Sequence, residues 1–220
     1  MAPEGPAPGS RGRARGRFIT LEGGEGAGKT TLSRALAAAL AEGGLPVLRT
    51  REPGGAPGAE AVRALILGHG PWDPVAEAML HFAARREHLA RSLEPALAAG
   101  IWVVCDRFAD STLAYQGAGQ GLSRDVWERL CDLALGPLRP DLTLVLDLPP
   151  ERGMTRALSR GDANRYEMQG EAFHARVRAG FLAIAAREPG RCAVLDASRP
   201  ADEVFSLSLA ALRERLGVPA

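Results

Sequence analysis

At 220 residues, with 46% hydrophobic and 24% charged side chains, the chain has the size and make-up of one soluble globular domain with a full core. A formal net charge of +1 gives no electrostatic case for nucleic-acid or membrane binding, and no apolar run approaches the roughly 20 residues of a membrane-spanning helix. Cys105, Cys131 and Cys192 are odd in number and widely spaced; they match no zinc spacing, suggest no disulfide framework and point to a reducing cytoplasm. Of the 27 basic side chains only Lys29 is not arginine. Its position therefore wants a compact, flexible point charge rather than a planar fork.

Residues 1–16 are rich in Pro, Gly and Arg without hydrophobic periodicity, the pattern of a disordered tail. Their arginines leave a transit peptide or a nucleic-acid-binding arm as alternatives, but the segment is short and has no apolar face. From residue 17 to 220 the chain reads as one domain. Short β-rich runs fall at Phe18–Leu21, Val47–Thr50, Ile101–Cys105, Leu142–Leu148 and Cys192–Leu195, each flanked by turn residues as buried parallel strands are. Helical spacing fills the intervals at Thr30–Glu42, Pro74–Ala99, Arg124–Leu135, Glu151–Ser159, Glu171–Arg187 and Asp202–Leu216. Asp73 and Ser123 stand as N-caps, with Pro74 at a first helical position. The alternation predicts an α/β fold, three layers deep around a five-stranded parallel sheet, with ligands at the carboxyl edge of its strands.

Gly23-Gly24-Glu25-Gly26-Ala27-Gly28-Lys29-Thr30 satisfies the G-x-x-x-x-G-K-[ST] pattern, directly after an apolar strand and directly before a helix. Its glycines let backbone N–H groups converge on phosphates, and the helix N-terminus adds a positive dipole end. Lys29 would reach the β- and γ-phosphates and Thr30 would ligate Mg²⁺, with Thr31 closing the cradle. A GTPase needs an Asn-Lys-x-Asp guanine reader, which a chain whose one lysine is Lys29 cannot contain. The compact size then favours a small-molecule kinase. Asp106 and Arg107 leave the third predicted strand at the same edge, where a carboxylate suits Mg²⁺ or water and a guanidinium suits a phosphate.

With these residues in view, the chain resembles the bacterial thymidylate kinases from about Arg17 onward. The matching pieces are 21–31 (Leu-Glu-Gly-Gly-Glu-Gly-Ala-Gly-Lys-Thr-Thr), 51–55 (Arg-Glu-Pro-Gly-Gly), 82–86 (Phe-Ala-Ala-Arg-Arg) and 106–117, which ends Ala-Tyr-Gln-Gly. To these are added Arg-Pro-Asp-Leu-Thr-Leu-Val-Leu-Asp at 139–147 and the Arg-rich segment 156–165. The resemblance implies an adenylate-kinase-like P-loop NTPase fold with a small lid at about 156–168, Mg·ATP as donor, dTMP as acceptor and a homodimer. It implies that Glu25 meets the acceptor's sugar hydroxyl, that Arg51 and Arg107 hold its phosphate, and that Arg85 reaches the thymine edge. Thr112 and Gln116 would add polar contacts to the nucleoside, and Tyr115 would stand where a ribose 2′-OH would clash. At the position where the family usually stacks Phe or Tyr on the base this chain has His81, with Phe82 beside it.

Some members of that family carry an arginine inside the P-loop; position 26 here is glycine, which resembles the bacterial type with a lid arginine. Arg156, Arg160 or Arg165 of the lid would then supply transition-state charge, Arg160 first and Arg165 second, and an arginine placed at position 26 should partly rescue their loss. Two rivals stand beside this reading: a deoxycytidylate, guanylate or deoxynucleoside kinase of the same build, and a nucleotide-gated binding protein without turnover.

Overall fold

The computed structural model describes residues 14–159 and 165–218. Five strands, β1 (Phe18–Gly23), β2 (Val47–Arg51), β3 (Trp102–Asp106), β4 (Leu142–Asp147) and β5 (Cys192–Asp196), form one parallel sheet in the order β2-β3-β1-β4-β5. Strand side chains alternate between faces. Phe18, Val103 and Cys105 enter one core with α3 (Pro74–His88), α4 (Glu94–Ala98) and α6 (Arg124–Leu135). Ile19, Leu21, Val104 and Leu144 enter the opposite core with α1 (Lys29–Glu42) and α9 (Ala201–Leu216). A further cluster packs α8 (Glu171–Arg187) against Val145 and Ala114. The expected helix–sheet–helix layering is thus present.

Several helix ends are where the capping residues put them. Asp73 Oδ1 accepts the Val75 and Ala76 N–H groups at 2.9 and 3.1 Å, and the Ser123 hydroxyl accepts from Val126 at 3.4 Å. The single helix expected over Pro74–Ala99 is divided: a π-helical turn, Leu89–Leu93, separates α3 from α4. Two elements had no counterpart in the sequence reading. They are α2 (Pro57–Gly68) and the run from α5 (Ala109–Thr112) into a π-helical stretch, Leu113–Gly119.

The tail boundary at residue 16 needs correction. Arg15 reaches Asp141 at 3.1 Å, and buried Gly16 donates its N–H to the Leu97 carbonyl at 2.9 Å. Residues 1–13 lie outside the described residues, as do residues 160–164 of the expected lid, Arg160 among them. That lid segment follows α7 (Pro150–Leu158).

Candidate active site

Parallel pairing delivers the site to one edge of the sheet. Arg51 lies opposite Asp106 on β2 and β3, and Leu21 lies opposite Asp106 on β1 and β3. The P-loop, the Arg51–Glu52 turn and the Asp106–Arg107 turn therefore all emerge side by side around a cavity of about 530 Å³. It is lined by the loop from Glu25 to Thr31 and by Arg51, His81, Arg85, Asp106, Arg107, Thr112, Tyr115 and Gln116; Gly23 and Gly24, also expected to bind ATP, are not on its lining.

At the donor end, Lys29 Nζ folds back onto the Gly23 and Gly24 carbonyls at 3.0 and 2.7 Å, where it closes the loop. Burial and the nearby Arg107 charge pull its pKa down to about 8, against Glu25, Asp106 and Glu22, which favour the cation. The Thr30 hydroxyl donates to Asp106 Oδ2 at 2.6 Å, so two hard oxygen groups stand together at the mouth of the cradle. Gly26 has φ +67°, and a Cβ there would lie 2.0 Å from the Gly153 carbonyl oxygen of α7. Any side chain there must push α7 and the loop apart, which weighs against an arginine at position 26 substituting for a lid arginine.

At the acceptor end Arg107 is the hub. Its φ of +71° is uncommon for a residue with a Cβ, and such strain persists only where surroundings enforce it. Glu22, buried beneath the turn, does so: it accepts the Phe108 N–H at 2.8 Å and the Ser111 hydroxyl at 2.5 Å. Burial and the neighbouring Asp110 raise the Glu22 carboxyl to about 8. The guanidinium of Arg107 then spans the Gly23 carbonyl, the Ser111 hydroxyl, Glu25 and Tyr115. Tyr115 in turn donates to Glu25 Oε1 at 2.9 Å. Burial alone would raise Glu25, but Arg107 and Lys29 outweigh it and hold the carboxyl at about 2.

Arg63, from the unforeseen α2, joins Arg51 and Arg107 on the cavity wall, and both Arg51 and Arg63 donate to the Pro53 carbonyl at 2.9 Å. Burial and Arg51 lower the Arg63 pKa, although Glu60, which pairs with Arg51 at 3.0 Å, and Asp106 act the other way.

Arg85 is 2% exposed and held on several sides. Its Nε pairs with Glu52 at 2.7 Å, and Nη2 reaches the Phe108 carbonyl and Thr112. Its Nη1 is buried without a partner and belongs to a residue that lines the cavity, so one strong donor waits for an acceptor there. Glu52 also binds His88 Nδ1 at 3.0 Å. Phe82 does not line the cavity. It is buried in the core with the Arg85 guanidinium 4.5 Å above its ring, so the residue beside His81, which the family resemblance would place with the substrate, is instead a platform for Arg85.

His81 does line the cavity, but its Nε2 is bonded to the Tyr166 hydroxyl at 2.9 Å. Burial and the Arg85 and Arg165 charges push it down to about 3, leaving a neutral imidazole. The two described lid arginines point elsewhere: Arg156 donates to the Ala197 carbonyl at 3.3 Å, and Arg165 binds the His69 carbonyl and Glu77. Sequence reasoning also missed Glu52, Arg34, Ser111 and Tyr166 on the wall. Glu52 had a signal in the Arg-Glu-Pro-Gly-Gly run; Tyr166 had none beyond its nearness to the Arg-rich segment.

A P-loop cradle at one end of a cavity and a cluster of guanidinium groups with a polar base-sized wall at the other define a nucleotide kinase of the P-loop NTPase fold. The family model for thymidylate kinase matches residues 21–207. A thymidylate kinase from Caulobacter vibrioides is 51% identical over 206 residues, covering 93% of this chain and 99% of that protein. One from Methylococcus capsulatus is 52% identical over 185 residues, covering 84% and 89%. The crystal structure of thymidylate kinase from Ehrlichia chaffeensis superposes with a TM-score of 0.74 at 36% identity, covering 90% of this chain and 99% of that one. The chain belongs to the thymidylate kinase family, in its bacterial type.

Proposed function

We infer that this enzyme transfers the γ-phosphoryl group of ATP to the phosphate of dTMP, giving dTDP for dTTP synthesis. The observation that carries this is one cavity with two phosphate sites, Lys29 and the P-loop at one end and Arg107, Arg51 and Arg63 at the other. The acceptor phosphate, with a second pKa of about 6, is already an oxyanion at neutral pH, so no general base is needed. The protein aligns it with the γ-phosphorus, offsets the repulsion between two anions and excludes water.

Each residue then has a role. Gly23 and Gly24 hold Lys29 through their carbonyls, while the backbone from Glu25 to Thr31 cradles the donor phosphates. The fork of Arg107, fixed by Glu25 and Tyr115, receives the acceptor phosphate with Arg51. Binding of an anion there relieves the crowding of the three guanidinium groups. The Arg85 Nη1 donor meets a carbonyl of the base, and Tyr115 stands beneath the deoxyribose.

The Thr30 and Asp106 oxygens suit Mg²⁺, which keeps several waters and phosphate oxygens and takes one or two protein groups. Bound there with ATP, the ion supplies charge neutralisation on the phosphates. Among the described residues no group of three or more His, Cys, Asp or Glu forms an all-protein metal cage, and this chemistry does not ask for one.

Arg160 remains the first choice for transition-state charge, because Arg156 and Arg165 have partners away from the cavity. The expected result is that Arg160→Ala lowers kcat by at least about tenfold, and by up to about 10³–10⁵ if it acts as a full arginine finger, with little change in KM for dTMP. A homodimer is supported by exposed apolar Val75 and Met79 on α3 and Leu133 on α6. A cytoplasmic location is supported by three free, buried cysteines. The test of the acceptor is a nucleotide panel: ADP release should follow dTMP, and release that instead follows dCMP or dGMP would replace this reading with a related kinase.

A further inference from the structure

Glu77 lies one helical turn before His81 on α3, is fully buried, and does not line the cavity. Its carboxylate collects the Gln116 Nε2–H at 2.8 Å, the Tyr166 O–H and the Arg165 guanidinium. A carboxylate paired with arginine accepts hydrogen bonds and donates none. Two orientations follow from that alone. The Gln116 amide must turn its nitrogen to Glu77, which leaves its Oε1 acceptor for the cavity that Gln116 lines. Tyr166 gives its one proton to Glu77, so its oxygen must accept from His81, and His81 is fixed as the Nε2–H tautomer.

Two turns further along the same face of α3, Arg85 offers Nη1 as a buried, unpartnered donor, and its Nη2 reaches Thr112, four residues before Gln116. The base site therefore presents a donor from Arg85 and an acceptor from Gln116. A 4-oxo pyrimidine carries an acceptor at O4 beside a donor at N3–H and matches this pair. A 4-amino pyrimidine carries a donor at N4 beside an acceptor at N3 and reverses both. We propose that Glu77 is a positioning residue that sets the hydrogen-bond polarity of the base wall, and through Gln116 makes the enzyme prefer a 4-oxo over a 4-amino pyrimidine nucleotide. This rests on the assignment of dTMP as acceptor. It also gives His81 a place: its Nε2 joins the Tyr166 hydroxyl and so extends the Glu77–Tyr166 contact to the cavity wall, which a phenyl ring could not do.

The test compares kcat/KM for dTMP and dCMP in the full-length wild type and in Glu77→Gln. A carboxamide can donate as well as accept, so it releases Gln116 to turn. The dTMP/dCMP ratio should fall at least about tenfold, the scale of one reversed hydrogen bond. The change should be carried by KM for dTMP more than by kcat, with KM for ATP unmoved. A merely structural role would lower both acceptors in proportion, and an unchanged ratio overturns the proposal. Should Glu77→Gln fail to fold, nitrogen-detected NMR of the wild type decides the same point. A His81 imidazole protonated at Nε2 and bare at Nδ1 supports the polarity set by Glu77, and the opposite tautomer overturns it. A wild type inactive with dTMP removes the functional reading itself. A discriminating wild type with an equally discriminating Glu77→Gln removes only the role of Glu77.

Discussion

Raising the pH should weaken ATP binding through one side chain, Lys29. Its Nζ is buried against two P-loop carbonyls, and burial together with Arg107 brings its pKa down to about 8. Below that value the free enzyme carries the cation that the phosphates need; above it the amine is neutral and must take up a proton on binding. The apparent Kd then grows with the neutral fraction, by about twofold at pH 8, about tenfold at pH 9 and about thirtyfold at pH 9.5 relative to pH 7. Titration calorimetry in buffers of different ionisation enthalpy reads both quantities, and about half a proton should be taken up per ATP at pH 8. Lys29→Arg stays charged throughout, so it should bind more weakly at pH 7 but with no slope. A flat profile in the wild type, without proton uptake, would refute the buried-lysine argument. A slope that survives in Lys29→Arg would transfer the titration to Glu22, whose carboxyl burial and Asp110 place at about 8.

Three further outcomes follow from the geometry. Gly26→Ala should cost at least about 2 kcal/mol from the left-handed backbone and the overlap with Gly153, lowering the thermal midpoint by about 4–8 °C; a wild-type midpoint would show that α7 yields easily. Deletion through residue 16 should lower the midpoint below that of a deletion through residue 13, because it removes the Arg15–Asp141 pair and the Gly16 bond to Leu97. Equal midpoints would mean that those contacts contribute nothing. Tyr115→Ala should reduce the ratio of kcat/KM for dTMP over its ribose counterpart, on the order of tenfold for the loss of a packed ring and its bond to Glu25; an unchanged ratio takes Tyr115 out of the sugar site.

What the sequence made legible was mostly what local chemistry dictates. The ends of α6 and α8 were read to the residue, and the P-loop was placed by strand, glycines and lysine together. The misplacement of Phe82 has a geometric cause. His81 and Arg85, four residues apart, share one face of α3, while Phe82 is turned about 100° away into the core. Spacing alone could have made that separation. The π-helical turn at Leu89–Leu93 could not be foreseen, because it answers packing rather than local preference. Helix α2 was hidden by its flanking glycines, although Pro57 at its start is a first-turn residue. Arg63 was lost with it. The Glu77 network was out of reach, since residues 77, 81, 116 and 165–166 meet only in three dimensions.

The central claim is that one cavity joins a P-loop donor site to a dTMP acceptor site, with Lys29 neutralising the transferred group. The measurement that tests it most directly follows ADP and dTDP together in the wild type and in Lys29→Ala, with circular dichroism on both. The account predicts ADP and dTDP in equal amounts, no ADP without dTMP, and a kcat at least about 100-fold lower in a variant that keeps its fold. ADP release indifferent to dTMP, or a Lys29→Ala variant within about threefold of wild type, well short of the loss of an electrostatic contact, would contradict it.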